Sequence, residues 1–257
     1  MFPQDGSFIQ NFIYFWHIIL HQTLMKEITR DFDPNIFHPF YIIRRELKKK
    51  MEKFAPALSG RLLDFGCGSK PYESLFHVDE YIGLDYYNEG HPHENESIDV
   101  FYDGHTFPFE DGHFDSILCS EVVEHIFNLP DILSELARVL KKDGLLLITC
   151  PFVWNEHEVP FDYARYTQFA LKSLLEKAGF EIVNFEKSGN YRLALTQLKV
   201  LYNYNHARKI FGNFFLMRWF YKTFFVCLPN MYGLFLNQML PADDSLYLNN
   251  IILAKKK

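Results

Sequence analysis

Cysteine and positive charge are both scarce in this sequence. Cys67, Cys119, Cys150 and Cys227 lie far apart and form no Cys-x-x-Cys pair, so neither a zinc site nor a disulfide framework is indicated. The 26 lysines and arginines are outnumbered by 32 acidic residues, which gives a net charge of −6. A protein that holds nucleic acid through its phosphates usually presents a basic face. We therefore expect no metal and no nucleic-acid partner.

Long apolar runs and a secretory leader are also missing. The best candidate for a membrane span is broken by Arg218, Lys222 and Pro229, so it falls short of the ~18 apolar residues that a span needs. The first residues lack the basic start and apolar run of a signal peptide, and Asp5 comes early. The sequence predicts a cytoplasmic protein whose mature chain begins near Met1.

Short apolar segments alternate with helix-like periodicity over residues 58–187. This alternation is typical of βαβ units around a parallel sheet. We predict an α/β fold with a Rossmann-like, doubly wound sheet of about seven strands, mostly parallel with an antiparallel last strand. The predicted strands are Arg61–Phe65, Tyr81–Asp85, Ile98–Tyr102, Phe114–Ser120, Gly144–Cys150, Phe180–Glu186 and Tyr247–Ala254.

Two helices follow from apolar residues at helical spacing. The first begins near Pro130 and is predicted to carry Lys141 and Lys142 in its last turn, with Gly144 as the stop. The second follows Thr167 as N-cap and ends at Gly179.

The two flanks differ from this middle part. Residues 1–56 are predicted to form an N-terminal helical extension to a main domain over residues 57–257. Residues 188–246 are dense in Phe, Tyr, Leu and Trp. Because a strand follows them, we predict a helical insertion that caps the active site.

A glycine turn, Asp64-Phe65-Gly66-Cys67-Gly68, comes directly after the first strand. Ligands of a parallel sheet bind at this edge, where glycines let the backbone approach them closely. Asp85 ends the next strand, about 20 residues on, where a carboxylate accepts ribose hydroxyl protons. Asp103 follows a further strand and is placed to meet an adenine. The sequence therefore predicts a nucleoside-containing cofactor.

The residues around the turn distinguish two such cofactors. A dinucleotide site has a third glycine three residues after the second, but Pro71 stands there. The acidic Asp64 would repel a pyrophosphate and attract the positive charges of S-adenosylmethionine. Both features favour S-adenosylmethionine.

Three segments together resemble the class I S-adenosylmethionine-dependent methyltransferases: Leu62–Gly68, Ile82–Asp85 and Phe114–His125. The similarity continues through Leu140–Ile148 and Tyr166-Thr167, so it covers roughly residues 60–187. The resemblance implies a methyltransferase.

The resemblance also implies roles for individual residues. The turn would hold the methionine part of the cofactor, Asp85 the ribose, and Asp103 with Gly104 the adenine. Lys70 stands where many members have glycine, and it either pairs with the cofactor carboxylate or is an exposed lysine. The cofactor-binding residues predicted in this way are Asp64, Gly66, Cys67, Gly68, Lys70, Asp85, Tyr86, Asp103, Gly104, Ser120 and Glu121.

The loop after the strand ending at Cys150 is rich in polar and aromatic side chains. Methyl transfer is an in-line displacement that depends mainly on orientation, but a hydroxyl acceptor must also lose its proton. Asp162 and Arg165 could instead form an ion pair that fixes the loop, and a loop histidine is often simply exposed. The candidates are His157, Asp162 and His125 as catalytic residues and Trp154, Tyr163, Arg165 and Tyr166 as substrate-binding residues.

Histidines also occur in the segment His91–Glu96. His91 and His93, with Glu94 and Glu96, resemble metal ligands. Two histidines without further placed donors do not define a site, so we interpret this segment as a hydrated loop.

The aromatic segment 191–240 leaves several interpretations open. It forms core or cap, an oligomer surface, or a patch that contacts a membrane or a lipid-linked acceptor. The acceptor is predicted to be a small molecule, with a sugar or lipid-linked glycan hydroxyl as one candidate. The alternatives are a membrane-surface quinone or lipid methyltransferase, and a cofactor-binding module without catalysis.

Overall fold

Seven strands form one mixed sheet in the computed structural model of the protein, which describes residues 32–86, 97–211 and 215–257. The strands are β1 (Arg61–Phe65), β2 (Glu80–Tyr86), β3 (Val100–Tyr102), β4 (Phe114–Ser120), β5 (Leu140–Pro151), β6 (Phe180–Ser188) and β7 (Asn249–Lys256). Their order is β3-β2-β1-β4-β5-β7-β6, with β7 antiparallel to both neighbours and the other pairs parallel. The predicted Rossmann-like sheet with an antiparallel last strand is confirmed.

The strand order reverses at β1. β2 and β3 lie on one side of this strand, and β4 and β5 lie on the other. In open parallel sheets, ligands bind outside the carboxyl ends of the strands at such a switch point. The glycine turn leaves the sheet from the end of β1 and therefore stands at the centre of this crevice.

Helices cover both faces of the sheet, as buried parallel strands require. Leu47 of α1 (Tyr41–Phe54) packs on one face in a core with Leu118 and Leu147. Leu133 of α2 (Leu129–Val139) and Leu171 of α3 (Gln168–Lys177) lie in the core on the other face.

The end of α2 differs from the sequence prediction. Lys141 and Lys142 lie in β5 rather than in the last helical turn, because the strand begins at Leu140. Leu140 is fully buried and pairs with Phe114 of β4, so its place in the sheet ends the helix early. The predicted N-cap of α3 is confirmed, since Thr167 Oγ1 accepts a hydrogen bond from Ala170 N at 3.3 Å.

The aromatic insertion is helical and lies between β6 and β7, as predicted. It contains α4 (Tyr191–Phe211), α5 (Phe215–Lys222), a π-helical turn (Thr223–Cys227) and α6 (Leu228–Met239). Gln197 of α4 is fully buried and joins it to the N-terminal part of the chain, because its Oε1 accepts from Ile43 N at 3.0 Å and its Nε2 donates to Pro39 O at 2.6 Å.

Among the residues that the structure describes, none of the insertion lines the main cavity, and the predicted cap over the site stays a prediction. Ile43 of α1 lines this cavity and also packs against Leu193 and Ala194 of α4, so α1 lies between the two. Residues 1–31 of the predicted N-terminal extension lie outside the described residues. Within the described ranges, none of the helices is both long enough and apolar enough to cross a bilayer.

Candidate active site

A cavity of about 830 Å³ opens at the carboxyl ends of β1, β2 and β4. Its volume is in the range of small-molecule and cofactor sites. Fourteen of the predicted site residues line it, and they are Trp154 from the loop after β5 and thirteen others. The thirteen are Asp64, Gly66, Cys67, Gly68, Asp85, Tyr86, Asp103, Gly104, Ser120, Glu121, His125, His157 and Tyr163.

The glycine turn has a backbone that other residues do not adopt readily. Gly66 has a φ of +71°, and a Cβ on it would lie 2.3 Å from Val122 Cγ2. Gly66 N donates to Leu84 O at 2.8 Å, which ties the turn to β2. The turn therefore presents bare backbone to the cavity, as close contact with a ligand requires.

Asp64 begins this turn and is nearly buried, with 4% of its surface exposed. Tyr81 donates a hydrogen bond from its hydroxyl to Asp64 Oδ2 at 2.6 Å. Burial raises the pKa of Asp64 to about 7, although this hydrogen bond and nearby Lys70 oppose the rise. A buried carboxylate with this pKa favours a positively charged ligand, which would stabilise its ionised form.

Backbone donors orient the two carboxylates that follow β2 and β3. Asp85 accepts hydrogen bonds from Gly68 N at 2.9 Å and from Tyr86 N at 2.7 Å. Asp103 Oδ1 accepts from His105 N at 2.8 Å and from Thr106 N at 2.9 Å. These backbone hydrogen bonds lower the pKa of Asp103. We call Asp64–Gly68, Asp85 and Asp103 the cofactor half of the cavity.

Lys70 is not part of the cavity wall. Its side chain is buried, with 8% exposed, and its Nζ forms an ion pair with Asp99 Oδ2. Asp99 Oδ2 also accepts from Gly83 N at 2.7 Å. The alternative of an exposed lysine is wrong, and the contact with a cofactor carboxylate stays a prediction.

Glu121 connects the ends of three strands. Its Oε1 accepts from Thr149 Oγ1 at 2.9 Å, and its Oε2 accepts from Asn249 Nδ2 at 2.7 Å. Ser120 Oγ lies 2.9 Å from the same Thr149 hydroxyl. Sequence reasoning missed Thr149 and Asn249, because only the pairing of β5 with β7 brings them to β4.

Two histidines from distant segments meet at the wall beyond β4. His125 Nε2 lies 3.1 Å from His157 Nε2. The Nδ1 of His125 lies 2.9 Å from the carbonyl oxygen of Phe161. The loop is also fixed by its backbone, since Tyr163 N donates to Glu124 O at 2.9 Å. Both predicted histidines are therefore brought together.

The predicted alternative of an ion pair between Asp162 and Arg165 is confirmed. The pair is bidentate, with Arg165 Nη1 2.6 Å from Asp162 Oδ1 and Nη2 2.8 Å from Oδ2. Arg165 holds the pKa of Asp162 down to about 2. Neither residue lines the cavity, and neither does Tyr166, which packs against the core.

Glu124 is the most unusual residue here, and sequence reasoning missed it. Its side chain is fully buried, and in the part of the chain that the structure describes no other residue donates a hydrogen bond to either carboxyl oxygen. Oε1 lies 3.8 Å from His125 Nε2 and 3.9 Å from His157 Nε2. Burial raises the pKa of Glu124 well above its usual range. We call His125, His157 and the loop Glu158–Tyr163, of which Asp162 does not line the cavity, the acceptor half, and we include the adjoining buried Glu124 in it.

Other wall residues were also missed. Phe32 and Arg44 line the cavity from the segment that was predicted to be a separate extension, and Tyr72 lines it from beyond the glycine turn. They carry no motif, and only the packing of α1 on the sheet brings the first two there. The segment from His91 to Glu96 lies outside the described residues.

The comparison with protein families gives one result that covers more than half of the chain. A family model described as a methyltransferase domain matches residues 40–184. The match begins one residue before α1. It therefore includes this helix, which falls in the predicted N-terminal extension over residues 1–56. No curated protein matches the chain significantly in sequence.

Solved structures with a similar fold share little sequence with this chain. An S-adenosylmethionine-dependent methyltransferase from Archaeoglobus fulgidus is 19% identical with a TM-score of 0.50, over 82% of this chain and 94% of that chain. The phosphoethanolamine N-methyltransferase 2 of Haemonchus contortus, in complex with phosphomonomethylethanolamine and S-adenosylhomocysteine, is 17% identical with a TM-score of 0.50, over 89% and 60%. The 4+2 cyclase SpnF is 19% identical with a TM-score of 0.51, over 83% and 80%. At these identities the likeness shows the fold alone.

Proposed function

The chain belongs to the methyltransferase domain family and uses S-adenosylmethionine, and we propose that it methylates a hydroxyl oxygen of a small-molecule acceptor. A fold by itself does not define the acceptor, as the cyclase with this fold illustrates. The observation that carries the proposal is the pair of imidazoles with Nε2 atoms 3.1 Å apart on the cavity wall. A hydroxyl acceptor needs such groups because it must lose a proton.

The cofactor half supplies the donor in this proposal. Asp85 accepts the ribose hydroxyls, Asp103 with Gly104 faces the adenine, and the turn that begins at Asp64 holds the methionine part. The acceptor half follows β4, across the switch point from β2 and β3, so a donor bound in the cofactor half would supply its methyl group there. The residues fit this cofactor, because a bare glycine turn and a buried carboxylate match its amino-acid and sulfonium part.

The transfer itself balances as a single displacement. A lone pair of the acceptor oxygen forms a bond to the methyl carbon, and the bond from carbon to sulfur breaks. Sulfur keeps the electron pair and becomes the neutral thioether of S-adenosylhomocysteine, while the hydroxyl proton passes to a basic group of the acceptor half. Orientation contributes most of the rate, and proton transfer contributes about 10²–10⁴-fold.

The donor assignment is tested by calorimetry with S-adenosylhomocysteine. Asp85→Asn removes a charged acceptor of hydrogen bonds, each worth about 1.5–3 kcal/mol, so we expect affinity to fall about 10–100-fold. Asp79→Asn, at an exposed carboxylate before β2, is the matched control. Unaltered affinity in Asp85→Asn contradicts the ribose assignment.

The acceptor class is tested with labelled cofactor and an extract of the host cell, separated into lipid and water-soluble fractions. We expect a labelled product that resists mild base, because a methyl ether is stable where a methyl ester is hydrolysed. A base-labile product contradicts the hydroxyl acceptor. Absence of any product supports a binding module without catalysis.

The insertion favours an acceptor held at a membrane surface as a second candidate. No Asp or Glu occurs from residue 188 to residue 242 of this otherwise acidic chain. Large apolar side chains on its helices are exposed, including Trp219 at 63%, Tyr232 at 64% and Phe235 at 57%. Exposed aromatic residues with cations and no acids suit a surface of anionic lipid. The six cations are Arg192, Lys199, Arg208, Lys209, Arg218 and Lys222.

Vesicle sedimentation of the full chain tests this candidate. We expect it to pellet with vesicles of phosphatidylglycerol and less with phosphatidylcholine alone. Trp219→Ser should reduce pelleting, whereas Phe169→Ser, which changes an aromatic side chain exposed on α3, should not. Equal pelleting of both variants, or none with either vesicle, contradicts the membrane contact.

A further inference from the structure

We propose that Glu124, His125 and His157 form a binding site for a divalent transition-metal ion in the acceptor half of the cavity. One oxygen of Glu124 and one nitrogen of each imidazole lie within 4.8 Å of one another. The role of the ion rests on the proposed methyl transfer, but its binding does not. This proposal replaces the expectation of a protein without metal.

The buried carboxylate is the first step of the argument. Glu124 is fully buried, and among the described residues no other residue donates a hydrogen bond to either of its oxygens. Buried polar groups are nearly always paired, and an exception calls for a ligand or an ion. Its Oε1 lies 3.8 Å from His125 Nε2 and 3.9 Å from His157 Nε2, so the carboxylate and the imidazoles face one common point.

The imidazoles are oriented as metal ligands are. His125 donates from Nδ1 to Phe161 O at 2.9 Å, which leaves its Nε2 with a lone pair. Asp162 Oδ2 lies 3.3 Å from His157 Nδ1 and would accept a hydrogen bond from it when Nε2 of that ring binds a metal. Without a metal, Arg165 Nη2 lies 3.4 Å from the same Nδ1 and can donate to it. A carbonyl or carboxylate on the far nitrogen of a histidine ligand is the usual support for a metal site.

The spacing of the three donors matches one ion. With metal–nitrogen distances of about 2.0–2.1 Å in a tetrahedral site, two ligand nitrogens lie about 3.3 Å apart. The two Nε2 atoms are 3.1 Å apart. Oε1 of Glu124 is 3.8 and 3.9 Å from them, so it must approach by roughly 0.5 Å.

The donor set also selects the kind of ion. Two imidazoles with one carboxylate suit Zn²⁺, Co²⁺ or Mn²⁺, whereas Mg²⁺ prefers oxygen ligands. Both histidines line the cavity, so the open coordination position faces the acceptor. An acceptor hydroxyl bound there would be positioned and made more acidic. With the ion bound, the metal-binding nitrogens of the two imidazoles no longer accept the hydroxyl proton, so in that state the exposed carboxylate of Glu158, which lines the same wall, accepts it.

The test uses the full chain, stripped with a chelator and then titrated with Zn²⁺ or Co²⁺. We expect one equivalent of either ion per chain, a visible Co²⁺ spectrum typical of nitrogen and oxygen ligands, and much weaker binding of Mg²⁺. Glu124→Gln and His157→Gln should each lower Co²⁺ affinity by at least about tenfold, because each removes a ligand. His77→Gln, at an exposed histidine outside the cavity, is the matched control.

Two measurements keep the test decisive. Calorimetry with S-adenosylhomocysteine should give the same affinity in both variants as in the wild type, which shows that the fold and the cofactor half are intact. His157 is partly exposed, so its replacement leaves no buried gap even if the Glu124 variant unfolds. Absence of stoichiometric Co²⁺ binding in the wild type overturns the proposal, as does equal binding in the His157 and His77 variants. If the wild-type protein binds Co²⁺ but not S-adenosylhomocysteine, the result would instead contradict the proposed donor site and leave the metal site standing.

Discussion

The cofactor half and the acceptor half of the cavity are built in different ways. The cofactor half is built mainly by the backbone: a turn with positive φ at Gly66 and carboxylates that accept hydrogen bonds from backbone N–H groups. In the acceptor half, side chains from separate segments, Glu124, His125 and His157, meet in space. The first half is a local property of the sequence, and the second depends on the whole fold.

This difference explains what could be predicted. The strand, the glycine turn and Asp85 lie in one short stretch, so their spacing alone indicated the site. His125 and His157 were each identified as candidates, but their contact, and the orphan carboxylate of Glu124 between them, depend on how the loop after β5 folds back over β4. The lysines after α2 were assigned wrongly because strand pairing, which no local pattern reveals, overrides helical periodicity.

The largest effect should come from the acceptor half and leave the cofactor half unchanged. His125→Gln removes an imidazole that the proposal places at the acceptor oxygen, so we expect methyl transfer to fall by at least about 100-fold. Affinity for S-adenosylhomocysteine, measured by calorimetry, should not change. His77→Gln should alter neither quantity. A joint loss of turnover and cofactor affinity would mean that the two halves are not independent.

The next effect concerns the backbone of the turn. Gly66→Ala places a Cβ 2.3 Å from Val122 Cγ2 at a φ of +71°. We expect S-adenosylhomocysteine affinity to fall by at least about tenfold, because the turn must shift and a strained φ costs about 1–3 kcal/mol. Gly112→Ala is the control, since Gly112 has a φ of +62° but its Cβ would have no neighbour closer than 3.9 Å. Equal affinity in the two variants would mean that strain and clash at the turn do not matter.

A smaller effect should appear as a pH dependence of the cofactor half. The ammonium group of the cofactor stabilises the ionised form of Asp64, so the bound pKa lies below the free value of about 7. Affinity should therefore rise with pH between the bound pKa and the free pKa, by up to about tenfold per pH unit. It should level off above the free pKa of about 7. Asp64→Asn should remove this slope in calorimetric titrations. Asp115→Asn, at a carboxylate whose pKa is lowered chiefly by its hydrogen bond with Lys141, should keep it.

The smallest effect should come from a change that keeps the backbone of the cofactor half intact. In Asp103→Asn the amide oxygen still accepts from His105 N and Thr106 N. The NH2 group that replaces the second carboxylate oxygen offers a donor to an adenine ring nitrogen in place of an acceptor for the adenine amine. We expect S-adenosylhomocysteine affinity to stay nearly unchanged, whereas Asp103→Ala loses both hydrogen bonds and should weaken binding about fivefold. Since the two variants lose the same charge, calorimetry on the pair separates charge from turn geometry. Equal losses in both would show that the charge of Asp103 matters more than its turn, so the cofactor half would depend on side chains as the acceptor half does.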